Sequence, residues 1–264
     1  MKFSLPVVIV AIAMAATAAF AGAVRTEKGI PYSERAGCVL DVRVPEGETN
    51  FPTVVWFHGG GLTGGSRHFV PLADTGIAQV AVEYRLLGKG AAEAADCIGD
   101  AAAAVAWTLA HIAEYGGDPA RVFVSGHSAG AYLTMMVGMD PQWLAAVGAK
   151  NTDIAGLIPI SGQATKHYNV RKFSGDGDPQ YQPKIDGLAP LAHVGKDFPP
   201  IVSICGEPPY EWKARAEENR LLIASCVAMG HPFARYVECP LCDHGRVATA
   251  ARPYIEMFVR GKLP

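Results

Sequence analysis

The 264-residue sequence has no internal repeat, no low-complexity tract and no block of like charge, and only 18% of it is charged. Its 23 Lys+Arg against 25 Asp+Glu give a net charge of −2, which argues against a nucleic-acid-binding chain, while 50% hydrophobic residues argue against disorder. Metal-site signatures are missing too: there is no H-E-x-x-H and no second C-x-x-C beside Cys239-Pro-Leu-Cys242. No metal or organic cofactor is expected. Beyond the N-terminus, no run is long and apolar enough to cross a membrane.

The one long apolar stretch lies at the start. Met1-Lys2 is followed by Leu5 to Ala23, nearly uncharged, and both Ala19-Phe20-Ala21 and Ala21-Gly22-Ala23 fit the small-x-small rule of a secretory leader. A secreted or periplasmic protein is expected, with residues 1–23 as signal peptide, 24–264 as one domain, and no stable membrane insertion after cleavage. Export changes the reading of Cys38, Cys97, Cys205, Cys226, Cys239 and Cys242, because thiols outside the cytoplasm tend to pair. Disulfides are therefore expected, with Cys239 and Cys242 read as a structural bridge ahead of a redox dithiol or half a zinc site. Cys205, within an apolar run, reads as a buried thiol.

Short apolar runs alternate with helical segments along the rest of the chain. Val39 to Val44 alternates as an early strand. Thr53 to Phe57, Ile77 to Val82, Val122 to Ser125, Ile154 to Ile160 and Ile201 to Cys205 are branched and uninterrupted, as strands of a buried parallel sheet are. Phe233 to Glu238 is a further strand candidate. Helices are expected over Ala91 to Glu114, Ala129 to Met139, Trp212 to Met229 and Arg246 to Val259, the last interrupted at Pro253. The fold class is α/β, a doubly wound and mostly parallel sheet flanked by helices. Gly162 to Pro200 lacks periodicity and reads as a long loop lying over a site.

The sharpest chemical signal is Gly126-His127-Ser128-Ala129-Gly130, which follows the strand Arg121-Val-Phe-Val-Ser125 and opens a helix. In a G-x-S-x-G elbow the glycines permit a strained turn that holds the serine hydroxyl above the sheet edge. Ser128 is thus the candidate nucleophile. Upstream, a strand runs into His58-Gly59-Gly60-Gly61, where consecutive glycines let backbone N–H groups converge on a developing oxyanion. No Lys-Ser/Thr follows, so a phosphate loop does not fit.

A hydroxyl nucleophile needs a base and a group to orient it. His58 and His127 sit inside the two glycine motifs, where shaping the backbone is their expected role. His68, His111, His167, His193 and His231 carry no motif. His244, in Cys-Asp-His-Gly, follows a strand candidate, precedes the final helix and lies C-terminal to Ser128, so it is the candidate base. Glu207 and Glu211, after the strand Ile201 to Cys205, are both candidates for the acid.

From about Phe51 to the C-terminus the chain resembles the α/β-hydrolase fold, and within it the HGGG-bearing carboxylesterases of the hormone-sensitive-lipase and feruloyl-esterase-like type. The likeness rests on HGGG at 58–61, Tyr84-Arg85-Leu86, Asp100 with AVAW at 104–107, YGGDPARVFVSGHSAGAYL at 115–133, and APLAHV at 189–194 leading to PPIVSICG at 199–206. It implies Ser128 as nucleophile, His244 as general base, and the N–H groups of Gly60, Gly61 and Ala129 as the oxyanion hole. The family's acid, usually an aspartate, falls about twenty residues before the Ala-Gly or Met-Gly that closes the next helix. Counting back from Met229-Gly230 reaches Glu211 rather than Glu207. Lipase-like members carry an N-terminal helical cap for which this chain has little room, so no large cap is expected. The implied activity is hydrolysis of small-molecule or polymer-linked carboxylic esters, short-chain or carbohydrate-linked, with no nucleic-acid partner. Rival readings are an amidase or peptidase of arylformamidase-like activity on the same triad, a non-catalytic binding protein on a hydrolase scaffold, and a redox protein built on Cys239 and Cys242.

Overall fold

The computed structural model describes residues 23–70, 72, 76–177 and 179–263. The expected leader falls almost wholly on residues 1–22, outside the described residues. In chain order the elements are β1 (Val24–Pro31), β2 (Val39–Pro45), β3 (Phe51–Phe57), β4 (Ala78–Val82), β5 (Leu86–Leu87), β6 (Gly90–Ala91), α1 (Ala94–His111), β7 (Gly117–His127), α2 (Ala129–Met139), α3 (Gln142–Ala145), β8 (Gly156–Ile160), α4 (Tyr168–Phe173), β9 (Ile201–Gly206), α5 (Arg215–Ala228), β10 (Ala234–Cys239), α6 (Val247–Ala250) and α7 (Arg252–Val259).

Eight strands form one sheet in the order β1-β2-β4-β3-β7-β8-β9-β10, and β5 pairs only with β6. β2 is antiparallel to both neighbours, whereas every pair from β4 to β10 is parallel. The uninterrupted apolar runs are explained by burial on both faces. Val55 and Phe57 pack with residues of α1, α2 and α5, while their neighbours Val54 and Trp56 pack with Ile255 and Phe258 of α7. Each face of the sheet therefore has its own core, and every residue of α2 is buried between sheet and helices.

Strand order reverses at β3: the chain crosses to β4 on one side and later adds β7 on the other. In an open parallel sheet, the crevice beyond the strands' C-terminal ends at such a switch point is where ligands bind. Phe57 is in register with Gly126, so the 58–61 glycines and the turn at Ser128 leave the sheet side by side.

Three expectations are corrected by the structure. β1 was not anticipated, because an edge strand exposed along most of its length has no apolar alternation to read. Residues 162–200 are not a plain loop: they contain α4 and a 3-10 turn at Pro190–His193, and Lys166 joins Asp176 at 3.0 Å and Asp186 at 3.1 Å. All six cysteines are free thiols, so the expected disulfides, including Cys239 to Cys242, are absent. Cys38, Cys97, Cys205 and Cys226 lie in one core and Cys239 in the other, with Cys242 packed against it, filling space as small apolar side chains. The last helix breaks before Pro253 as expected, into α6 and α7.

Candidate active site

Ser128 sits between β7 and α2 with φ 57° and ψ −113°, a conformation sparsely populated by any residue but glycine. Close packing holds it there. Its N–H donates to the Ile160 carbonyl at 2.9 Å, and a Cβ added to Gly130 would lie 2.0 Å from the Phe57 carbonyl oxygen. The two motif glycines are required because α2 crosses directly against the end of β3.

His244 follows β10 and places Nε2 3.0 Å from Ser128 Oγ and Nδ1 2.7 Å from Glu211 Oε1. A carboxylate at Nδ1 requires the proton on that nitrogen, which leaves the Nε2 lone pair facing the serine hydroxyl. Residues separated by 116 and 33 positions in sequence thus form one chain of contacts. Glu207, the alternative acid, is elsewhere: its carboxylate accepts from the Leu241 N–H at 2.8 Å and secures the turn before His244.

Glu211 has a fully buried side chain, and burial by itself raises a carboxyl pKa. Here hydrogen bonds from His244, from Ser161 Oγ and from the Trp212 N–H outweigh burial and bring it down to about 2. Ser161 was missed by sequence reasoning, although its position immediately after β8, on the ligand-binding edge of the sheet, was a signal for it. His127 has the backbone role expected of it: Nε2–H donates to the His244 carbonyl at 2.7 Å. Burial, reinforced by the neighbouring His244, drops its pKa to about 4, so it is a neutral donor near pH 7.

The 58–61 loop is tied down from outside. Tyr84 Oη donates to the His58 carbonyl at 2.9 Å, and Asn169 Nδ2 to the Gly61 carbonyl at 2.6 Å. Gly60 at φ 110° and Gly61 at φ 66° stand in left-handed conformations beside Ser128. The turn's own hydrogen bonds use the N–H groups of Thr63 and Gly64, both to the Gly60 carbonyl. Ala129 opens α2, where no earlier turn of the helix exists to accept its N–H.

These groups line a cleft of about 380 Å³ with Tyr168 and Trp212. Neither aromatic was predicted. Tyr168 comes from the segment expected to overlie the site, and its ring lies 5.3 Å from that of Trp212, which in turn lies 5.7 Å from His244. The arrangement can move a proton from hydroxyl to imidazole while presenting backbone donors to the same spot.

The fold is the α/β-hydrolase fold, and its site sets a serine, a histidine and a glutamate in hydrogen-bonding sequence. The BD-FAE family model matches residues 40–150, a span that includes the 58–61 glycines and Ser128 and ends before Glu211 and His244. Lipase 1 of Yarrowia lipolytica is 32% identical over 125 residues, 39% of this chain and 26% of the lipase. Rat liver carboxylesterase B-1 is 34% identical over 105 residues, 36% of this chain and 19% of that protein. The chain spans about a third or less of the length of the curated relatives it matches. Among solved structures, Thermogutta terrifontis esterase 2 aligns with a TM-score of 0.71 at 22% identity, over 90% of this chain and 96% of that one. A carbohydrate esterase from gut microbiota aligns with 0.72 at 16% identity, again over 90% and 96%. These likenesses bear out the α/β-hydrolase fold and the resemblance to HGGG-type esterases drawn from the motifs.

Proposed function

We propose that this chain is a serine carboxylic ester hydrolase. The observation that carries the reading is His244 bridging Ser128 Oγ at 3.0 Å and Glu211 Oε1 at 2.7 Å in a cleft beside the 58–61 glycines. Ser128 Oγ attacks the ester carbonyl as His244 Nε2 takes its proton. Glu211 holds the imidazole tautomer and offsets the charge of the imidazolium. The N–H groups of Gly60, Gly61 and Ala129 stabilise the oxyanion. Collapse of the tetrahedral species expels the alcohol, protonated by His244, and leaves an acyl group on Ser128. Water then attacks with the same histidine as base.

The substrates are short-chain or carbohydrate-linked esters. A cleft of about 380 Å³ suits a small acyl group. One similar solved esterase is described as propionate-bound and another structural neighbour as a carbohydrate esterase. Activity that climbs with acyl length into long chains would count against this. The protein acts outside the cytoplasm after loss of residues 1–23, which N-terminal sequencing of the exported protein tests. For the mechanism the test is Ser128→Ala: turnover of 4-nitrophenyl butyrate and labelling by a fluorophosphonate probe should both vanish while the fold persists. Retained turnover would sink the assignment.

A further inference from the structure

Tyr168 belongs to two cavities. Besides the cleft at Ser128, it lines a second one of about 440 Å³ whose other walls include Lys172, Asp176, Gly177 and Gln180. At one end the ring reaches the glycine loop, since a Cβ on Gly61 would lie 2.7 Å from Tyr168 Oη. Lys172 is four residues further along α4 and so shares a helix face with Tyr168, their Cβ atoms roughly 6 Å apart. One aromatic side chain therefore joins the reaction centre to a cavity with a lysine on its wall.

The charges around that wall are unbalanced. Lys172 is exposed and pairs with no carboxylate among the described residues. Asp176, the acid in the same cavity, is already taken: Lys184 Nζ lies 2.7 Å from Oδ1 and Lys166 Nζ 3.0 Å from Oδ2. Two more cations stand against the aromatic group that Tyr168 forms with Tyr181 and Trp212. Lys213 Nζ is 4.5 Å from the Tyr181 ring centre, and the Arg215 guanidinium is 5.3 Å from that of Trp212. Arg215 is 3% exposed, and its Nε has no hydrogen-bond partner. The acids whose charge it feels most, Glu218 and Glu211, are occupied: Glu218 accepts from the Ala164 and Thr165 N–H groups and Thr165 Oγ1, and Glu211 from His244 and Ser161. Glu218 and Glu211 remain counter-charges to Arg215, but neither takes its Nε–H, which stays unpaired.

We propose that the second cavity is an anion subsite, taking a carboxylate that the ester substrate carries away from its scissile carbonyl. Lys172 is the ion-pairing donor, and Lys213 and Arg215 supply a positive field along the aromatic wall between the cavities. The carboxylate belongs to either the acid or the alcohol half of the ester, and two probe pairs separate these. This inference rests on the ester-hydrolase reading.

The acid half is probed by mono-4-nitrophenyl adipate against 4-nitrophenyl hexanoate, and the alcohol half by 3-carboxyphenyl acetate against phenyl acetate. The quantity read is the ratio of kcat/KM, anionic over neutral, at low salt. In one of the two pairs that ratio should fall about tenfold from the wild type to Lys172→Glu, stay within about twofold in Lys172→Arg, and converge as salt is raised. Ratios equal in wild type and Lys172→Glu for both pairs would overturn the proposal. Should the wild type turn over none of the esters, the hydrolase reading fails separately, and calorimetric titration with adipate still decides the subsite: binding lost in Lys172→Glu supports it, and no binding to the wild type overturns it.

Discussion

Glu211→Gln keeps the shape of the side chain and halves its capacity to accept. The carboxylate takes four hydrogen bonds: His244 Nδ1 and the Trp212 N–H, each at 2.7 Å, on Oε1, and Ser161 Oγ at 2.5 Å and the Gly206 N–H at 3.0 Å on Oε2. A carboxamide has one acceptor oxygen and one NH2. Either orientation sets that NH2 against a backbone N–H that cannot turn away, Trp212's in one case and Gly206's in the other. One buried donor is orphaned each time, at a cost of about 1–3 kcal/mol. The charge is lost as well. In the native protein burial disfavours that charge, but hydrogen bonds led by His244 bring the Glu211 pKa from 4.5 to about 2. A difference of that size corresponds to ~3 kcal/mol. Because the folded state binds this proton more weakly than the unfolded chain, the contribution is complete above about pH 4.5 and is lost as pH falls towards 2. Urea unfolding at pH 7 should therefore show the variant clearly less stable, with the gap to the wild type narrowing at pH 3. Turnover should suffer more. With NH2 towards His244 the imidazole must carry its proton on Nε2, the tautomer that cannot accept from Ser128; with oxygen towards it, the imidazolium has no counter-charge. On a neutral short-chain ester kcat/KM should drop by about 10³–10⁴. Glu207→Gln is the control, since that carboxylate only ties down Leu241, and it should stay within about threefold of the wild type. A Glu211→Gln enzyme within about tenfold of wild type, or a Glu207→Gln enzyme equally impaired, would refute the assignment.

His127 should respond at a higher pH. Its folded-state pKa of about 4 lies below the unfolded 6.5, so its contribution is complete above pH 6.5 and is lost as pH falls towards 4. Stability curves of His127→Gln should be flatter across that window, and its kcat/KM about tenfold lower, because the hydrogen bond fixing the His244 backbone is weakened. Arg85→Ala should destabilise by ~3 kcal/mol in urea unfolding, since Asp100, whose side chain is fully buried, loses the guanidinium at 2.8 Å and keeps the backbone N–H of residue 85 at 3.1 Å and Arg35 at 3.4 Å. A midpoint unchanged in that variant would refute the assignment of this ion pair to the stability of the fold.

What was legible in the sequence follows from burial. β3, β8, β9 and the Val122 to Ser125 part of β7 read clearly because both faces are covered there and every residue must be apolar or small. β1 left no such trace, being hydrogen-bonded on one side and solvated over most of its length. Ser128 was legible because its strained backbone imposes glycines two residues either side. His244 carried a weaker signal, position in the chain, and Glu211 none of its own beyond a family spacing, since a loop carboxylate is set by what it accepts from. Tyr168 opens the short α4 and Trp212 lies on the connection before α5, so their side chains meet only in three dimensions and no periodicity marks them. The cysteines misled because compartment chemistry says whether thiols can pair, whereas in the fold they serve as small apolar side chains, four in one core and Cys239 with Cys242 at the other.

Glutamate at 211, where the motif resemblance implies aspartate, has a geometric consequence. Glu211 does not stand at the end of β9 but five residues beyond Gly206, whose N–H it accepts at 3.0 Å, so the side chain folds back over the strand end rather than projecting from it. A Cβ at Gly206 would lie 3.0 Å from Glu211 Oε2 and 2.3 Å from the Cys242 carbonyl oxygen, so the glycine makes room for both the acid and the loop bearing His244. The extra methylene spans the distance that this detour creates. Shortening the side chain to aspartate without moving the loop would pull the carboxylate away from His244, Ser161 or both. Acid, glycine and histidine loop therefore form one unit, and residue 211 is fixed by that packing as much as by the chemistry of the imidazole.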